Sequence, residues 1–132
     1  MTIAGYSGKP LAEKLGIKKG LTVYVDRPPA HLEDLLPGVD YRTRLPRETD
    51  LTLTFQTEAA AYAKRLPTLV EHTVVNGMVW VCWPKKSSGA ATNLTENLVR
   101  DIGLAAGVVD VKVAAVDETW SALKFVRRLR DR

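Results

Sequence analysis

Hydrophobic and polar positions along this chain follow one another in short patterns that predict helices and strands in alternation. Leu11, Ala12 and Leu15 are spaced for the apolar face of a short helix, entered from the loop at residues 5–10, with Ser7 or Gly8 as its cap and Gly16 as its end. Residues 21–25 are β-branched and aromatic, a strand halted by Arg27-Pro28-Pro29. Leu32, Leu35 and Leu36 return to helical spacing before Pro37-Gly38, and residues 39–43 read as a weak second strand. Residues 50–55 alternate strictly, which predicts a strand with one better-buried face. Ala59, Tyr62, Ala63 and Leu66 share one face of a helix over 58–66, kinked or restarted at Pro67 because proline lacks an amide hydrogen. Asn76-Gly77 predicts a turn into residues 78–83, which are apolar at every position and so belong at the centre of a sheet, covered on both faces.

The C-terminal third continues the pattern. Asn93-Leu94-Thr95-Glu96 has the form of a capping box, with Asn93 as the cap of a helix whose buried stripe is Leu94, Leu98, Ile102 and Ala105 and whose stop is Gly107. Residues 109–116 and 121–127 predict an antiparallel hairpin around Asp117-Glu118-Thr119. The whole reads as an α/β domain, small and Rossmann-like, with a mostly parallel sheet, helices on both faces and a C-terminal antiparallel hairpin. That order of elements is similar to the class I methyltransferase sheet, reduced in size. No internal repeat interrupts it, and residues 1–132 are expected to form a single domain with an N-terminal arm and helix at 1–20 and a basic tail at 127–132.

Composition narrows the function classes. With 132 residues, 45% hydrophobic and 26% charged, the chain has the balance of one soluble globular domain. No apolar run approaches the roughly 20 residues of a membrane helix, and the first residues lack a secretory signal, so a cytoplasmic protein with no membrane partner is expected. Cys82 is the only cysteine, which excludes an internal disulfide and a multi-cysteine metal site. His31 and His72 have no Cys, Asp or Glu at ligand spacing, so no metal is expected and each reads as a surface or cap residue. The net charge of +4 favours anionic partners. Lys124, Arg127, Arg128, Arg130 and Arg132 crowd the last nine residues, but without aromatic residues among them to stack bases. A solvated, frayed terminus explains them better than nucleic-acid binding. An exposed edge strand would allow a homodimer, and nothing in the sequence chooses between that and a monomer.

Three blocks together carry a resemblance: Tyr6-Ser7-Gly8-Lys9-Pro10-Leu11-Ala12-Glu13-Lys14-Leu15-Gly16-Ile17, Trp83-Pro84-Lys85-Lys86-Ser87-Ser88-Gly89, and Val116-Asp117-Glu118-Thr119-Trp120-Ser121. They resemble a bacterial family of short proteins whose shared domain has no assigned function. The likeness spans most of the chain and is weakest from Arg27 to Arg47. Aspartate is usual in that family where this chain has Asn93, and glycine where it has Ala122. The resemblance implies a small Rossmann-like fold and supplies no reaction.

Candidate chemistry concentrates where the apolar strand ends at Pro84, because open α/β sheets bind ligands outside the carboxyl ends of their strands. Lys85 and Lys86 supply charge there. Ser87, Ser88, Gly89 and Thr92 offer hydroxyls and closely approachable amides for oxyanions, and the helix after Asn93 adds its positive N-terminal end. Trp83 or Trp120 would wall such a pocket, and Lys9 would fold over it. The plainer alternatives are a solvated connecting loop, and tryptophans that complete the core. The loop is not a Walker motif, since Gly89 follows the lysines. Cys82, inside the apolar strand, reads as a buried structural thiol. Asp117 and Glu118 are the weak candidates for acid–base catalysis, against a plain solvated turn, and either lysine of the loop would be neutralised if it paired with Glu118. A dinucleotide or S-adenosylmethionine site needs a glycine-rich turn after the first strand, and Asp26-Arg27-Pro28-Pro29-Ala30 stands there instead. No cofactor is therefore expected. The residues favour a non-enzymatic module for a small anionic or nucleotide-like ligand, with a minimal methyltransferase-like enzyme and a protein–protein adaptor as the alternatives.

Overall fold

The computed structural model describes residues 9–132, so the expected caps Ser7 and Gly8 lie outside the described residues. Five strands form one mixed sheet: β1 (Val23–Asp26), β2 (Thr49–Phe55), β3 (Thr73–Pro84), β4 (Val108–Ala115) and β5 (Trp120–Arg127), in the spatial order β1-β2-β3-β5-β4. β1, β2 and β3 run parallel, and β5 lies antiparallel between β3 and β4. β1 to β4 therefore all point one way. Helices cover both faces, with α1 (Leu11–Leu15) and α2 (Leu32–Leu35) on one and α3 (Ala59–Glu71) and α4 (Glu96–Ala105) on the other. This is the expected α/β class with its C-terminal hairpin.

The strand period distributes the core. Leu51, Leu53, Phe55, Trp80 and Cys82 face α1 and α2, while Val79, Val81, Trp83, Leu123 and Phe125 face α3 and α4. The Trp80 indole N–H donates to the Leu15 carbonyl at 2.9 Å and fixes α1 to the sheet. Among the described residues no helix is long and apolar enough to cross a membrane.

Several local expectations are corrected. β2 is buried on both faces, not one, because its polar face finds partners inside: Thr52 Oγ1 donates to Thr49 Oγ1 at 3.1 Å and Thr54 Oγ1 to Asp26 at 2.8 Å. The second strand expected over 39–43 is a single parallel bridge between Arg42 and Tyr24. α3 continues through Pro67 to Glu71 without a break, so a restart is not needed there. β3 begins at Thr73, and Asn76-Gly77 is no turn but an irregularity within it, where pairing jumps from Thr49↔Thr73 to Leu51↔Met78. Only glycine fits there: a Cβ on Gly77 would stand 2.8 Å from the Asp50 carbonyl oxygen.

The helix after the basic loop also starts later than expected. Thr95 caps it, accepting from the Leu98 amide at 3.2 Å. Asn93 serves the other helix, its Oδ1 accepting from Ala59 N at 2.8 Å. Of the expected α4 stripe, Leu98 and Ile102 pack half-buried against the core, but Ala105 is exposed, Leu94 is buried ahead of the helix, and the fully buried positions are Val99 and Gly103. The basic tail is not simply frayed. Arg127 donates to the carbonyls of Val70 and Thr73 at 2.9 and 2.7 Å, and Arg128 to that of Leu104 at 2.9 Å. Arg127 thus bonds carbonyls on both sides of the α3–β3 junction, and Arg128 adds a donor to the Leu104 carbonyl, which also accepts from Gly107 N at 3.1 Å.

Candidate functional site at the carboxyl edge of the sheet

Because β1 to β4 point one way, the loops that follow them gather at one edge of the sheet. Contacts distant in sequence join them. The Lys85 amide donates to the Thr119 carbonyl at 2.7 Å, which ties the loop after β3 to the hairpin turn. His31 Nε2 lies 2.8 Å from Asp117 Oδ2, which ties the loop after β1 to the same turn across 86 residues of sequence. Asp117 Oδ1 accepts from the Thr119 and Trp120 amides, each at 2.8 Å, and closes the turn. Burial pushes the Asp117 carboxyl up, but the His31 hydrogen bond, the two amides and the His31 charge outweigh it and hold the group below the usual carboxylate range. Asp117 is therefore ionised at neutral pH and structurally engaged. Glu118 is exposed at the tip, and among the described residues neither Lys85 nor Lys86 forms a salt bridge with it or with any other carboxylate.

The basic loop folds on itself. Lys86–Ser88 make one 3₁₀ turn, ended by Gly89 at φ 74°. Ser88 Oγ donates to the Lys85 carbonyl at 2.6 Å and accepts from Ala90 N at 3.1 Å. Thr92 Oγ1 donates to the Thr57 carbonyl at 2.6 Å and accepts from Leu94 N at 3.0 Å. Those two hydroxyls are thus engaged within the protein. Lys86, Ser87 and Gly89 are exposed and Lys85 is half-buried. Lys9 is exposed just ahead of α1. Trp83 is buried in the core under α3 and α4, whereas Trp120 is half-buried on the opposite face, edge-on to Phe55 with ring centroids 5.0 Å apart. The sheet separates the two indoles.

A second cluster at this edge escaped the sequence reading. Asp26, the last residue of β1, is buried beneath α3. Its Oδ1 accepts from Arg65 Nη2 and from the Tyr24 hydroxyl, both at 2.9 Å, and its Oδ2 accepts from Thr54 Oγ1 at 2.8 Å. Since the Thr54 proton goes to Asp26, Thr54 can only accept from Gln56 Nε2, at 2.9 Å, which fixes the orientation of the Gln56 amide. Burial pushes the Asp26 carboxyl up, yet hydrogen bonds from Arg65, Thr54 and Tyr24 and the Arg65 charge hold it below its ordinary value. Arg65 responds in the opposite direction, raised first by the Asp26 hydrogen bond. The one available signal was an acidic residue ending an apolar strand; its partner lies 39 residues on and carries no local mark. Cys82 is buried as expected, and burial, with the Asp117 charge, raises its thiol well above the ordinary range. Among the described residues no group of three or more His, Cys, Asp or Glu side chains is arranged to hold a metal ion.

The fold has known counterparts. This chain is similar to magnesium protoporphyrin IX methyltransferase from Synechocystis PCC 6803, solved with bound SAM, at 12% identity over 89% of this chain and 74% of that one, with a TM-score of 0.59. It is similar to the mitomycin 7-O-methyltransferase MmcR at 12% identity over 83% of this chain and 50% of the other, with a TM-score of 0.58. The pyocyanin biosynthetic protein PhzM matches at 13% identity over 90% and 54%, with a TM-score of 0.59. At these identities the likeness defines a class by fold alone, the class I methyltransferase type of α/β sheet. No protein-family model and no curated protein matches the chain.

Proposed function

We propose that this chain is a binding module on a methyltransferase-type sheet, taking a small anionic or nucleotide-like ligand at the carboxyl edge without transferring a methyl group. One observation carries the reading: Lys85 and Lys86 form no salt bridge among the described residues, yet their loop is pinned to the hairpin turn through the Lys85 amide. A fixed cationic loop at a strand end is a place for an anion. Lys85 and Lys86 attract it and the exposed Ser87 hydroxyl contributes a donor, whereas the Gly89 amide already donates to the Lys86 carbonyl at 3.4 Å.

S-adenosylmethionine, which the fold class suggests, fits these residues poorly. The turn after β1 needs main-chain atoms open to the ligand, but Pro28 and Pro29 carry no amide hydrogen. Arg27 adopts the left-handed conformation usual for glycine, at φ 53°, and carries a long side chain there. Asp26 is saturated by Arg65, Thr54 and Tyr24. Beyond β1, where a dinucleotide fold sets an acidic residue for the ribose, only the Arg42 bridge and Thr43-Arg44 follow.

The second reading, a minimal methyltransferase-like enzyme with Asp117 or Glu118 as acid–base group, draws on the bound SAM and SAH of the neighbouring folds. Calorimetric titration with adenosine monophosphate, inorganic phosphate and S-adenosylmethionine separates the two. The binding module predicts an anion isotherm that weakens at least tenfold in the K85E/K86E double variant while S-adenosylmethionine shows none. Binding of S-adenosylmethionine in preference to the nucleotide selects the enzyme, and silence with all three removes the carboxyl-edge site.

A further inference from the structure

A cleft of about 670 Å³ opens at the amino end of β1, the opposite end of that strand from the loops just described. Its size is that of small-ligand sites, which span roughly 300–1,000 Å³. The floor is apolar: Ile17, Leu21 and Val39 line it half-buried. Lys18, Lys19 and Arg42 stand around it, exposed, and among the described residues none of the three forms a salt bridge. Among the described residues that line it, Asp40 is the one acidic residue, so cations outnumber it three to one.

The backbone keeps the cleft open and adds a donor. Gly20 and Gly38, on its two walls, hold φ of 95° and 74°, and a Cβ on either would meet nothing within 4 Å. Along β1, alternate residues present their N–H and C=O to β2 and to the free edge. On the free edge, the Val25 amide donates to the Arg42 carbonyl at 2.9 Å and the Val23 carbonyl accepts from the Arg42 amide at 2.8 Å. The Val23 amide points the same way, toward the cleft that Val23 lines.

We propose that this cleft binds an amphiphilic organic anion, with its carboxylate or phosphate head among Lys18, Lys19 and Arg42 and its apolar body on Ile17, Leu21 and Val39. The two halves of the lining require each other. Exposed lysines alone hold a bare anion weakly, because solvent and salt screen them. An apolar body alone gains nothing from three cations. Neither half is shared with the Lys85 loop, so this site stands or falls separately from the carboxyl-edge reading.

Amide chemical-shift mapping of the full chain with octanoate, octanol and inorganic phosphate tests it. Octanoate is expected to shift amides at residues 17–23 and 38–42, and to bind at least tenfold more tightly than octanol or phosphate. The K18E/K19E variant is expected to lose at least tenfold in octanoate affinity with its spectrum otherwise folded. K64E/R130E, at exposed cations outside both proposed sites, changes the net charge equally and is expected to leave that affinity within twofold. Absence of octanoate shifts at residues 17–23 and 38–42, equal binding of octanol there, or insensitivity of that binding to K18E/K19E would each overturn the proposal.

Discussion

Asp26 concentrates much of what single residues do in this protein. A carboxylate at the end of a buried strand survives there because Arg65, Thr54 and Tyr24 together supply more stabilisation of its charge than burial removes. Removing it strands Arg65, whose side chain is 30% exposed and so recovers part of its hydration. The D26A variant is accordingly expected to lose about 2–3 kcal/mol in urea unfolding at pH 7, somewhat less than breaking a fully buried pair costs. The pH dependence has a definite sign. A carboxyl held below its unfolded value, near 3.9, contributes stability that is present above that value and is lost as pH falls through the folded value. Urea midpoints of the native protein should therefore drop steeply below about pH 4, and D26N should flatten that acid limb without abolishing it, because Asp117 is lowered as well. A limb of unchanged steepness in D26N would contradict the account. Buried Cys82 was legible from its apolar neighbours. The partners of Asp26 and the His31–Asp117 contact were not, since hydrogen bonds across 39 and 86 residues leave no periodic trace.

At the scale of elements, patterning located the α-helices and strands of the described residues, added a strand over 39–43 that is a single bridge, and misplaced several ends. Ends depend on which side chain reaches which orphaned main-chain group, and neighbouring candidates compete for that task. Asn93 and Thr95 both suit a cap; Thr95 holds α4, and Asn93 is drawn to the first amide of α3. In the tail, too, Arg127 and Arg128 reach carbonyls near the ends of α3 and α4 that no local pattern marks as their partners. Gly103 is the sharpest case. In helix α4 a glycine costs about 1 kcal/mol relative to alanine, yet a Cβ at this position would overlap the Phe125 ring of β5. G103A is therefore expected to destabilise the fold by about 1–3 kcal/mol, as overpacking does, reversing the propensity gain. Thermal unfolding measures it, and the paired variant G103A/F125L should recover part of the loss.

For the whole molecule the exposed parts of the sheet are its two edges. β1 is short, and its outer side is partly occupied by the Arg42 bridge. β4 is longer and carries Val111 and Val113, each about half exposed. Between the register pairs Asp110↔Phe125 and Lys112↔Lys124 one extra residue, Val111, bends the strand. A bulge and an edge lysine are the devices that discourage strand addition between copies. The native chain is expected to sediment as a 14.6 kDa monomer. K112V, which completes an apolar run on that edge, should associate measurably by light scattering at concentrations where the native protein does not. The sequence by itself determined the class of fold, the central strand, the terminal hairpin and the place of the basic loop, because those follow from local periodicity and turn chemistry, which neighbouring residues encode. Only the tertiary structure decided which polar groups are already engaged at the carboxyl edge, which face each tryptophan occupies, and that a cleft lined by both apolar and cationic side chains opens at the far end of β1. Each of those depends on residues distant in the chain meeting in space, and the energy of such meetings is set by burial and geometry that no local pattern records.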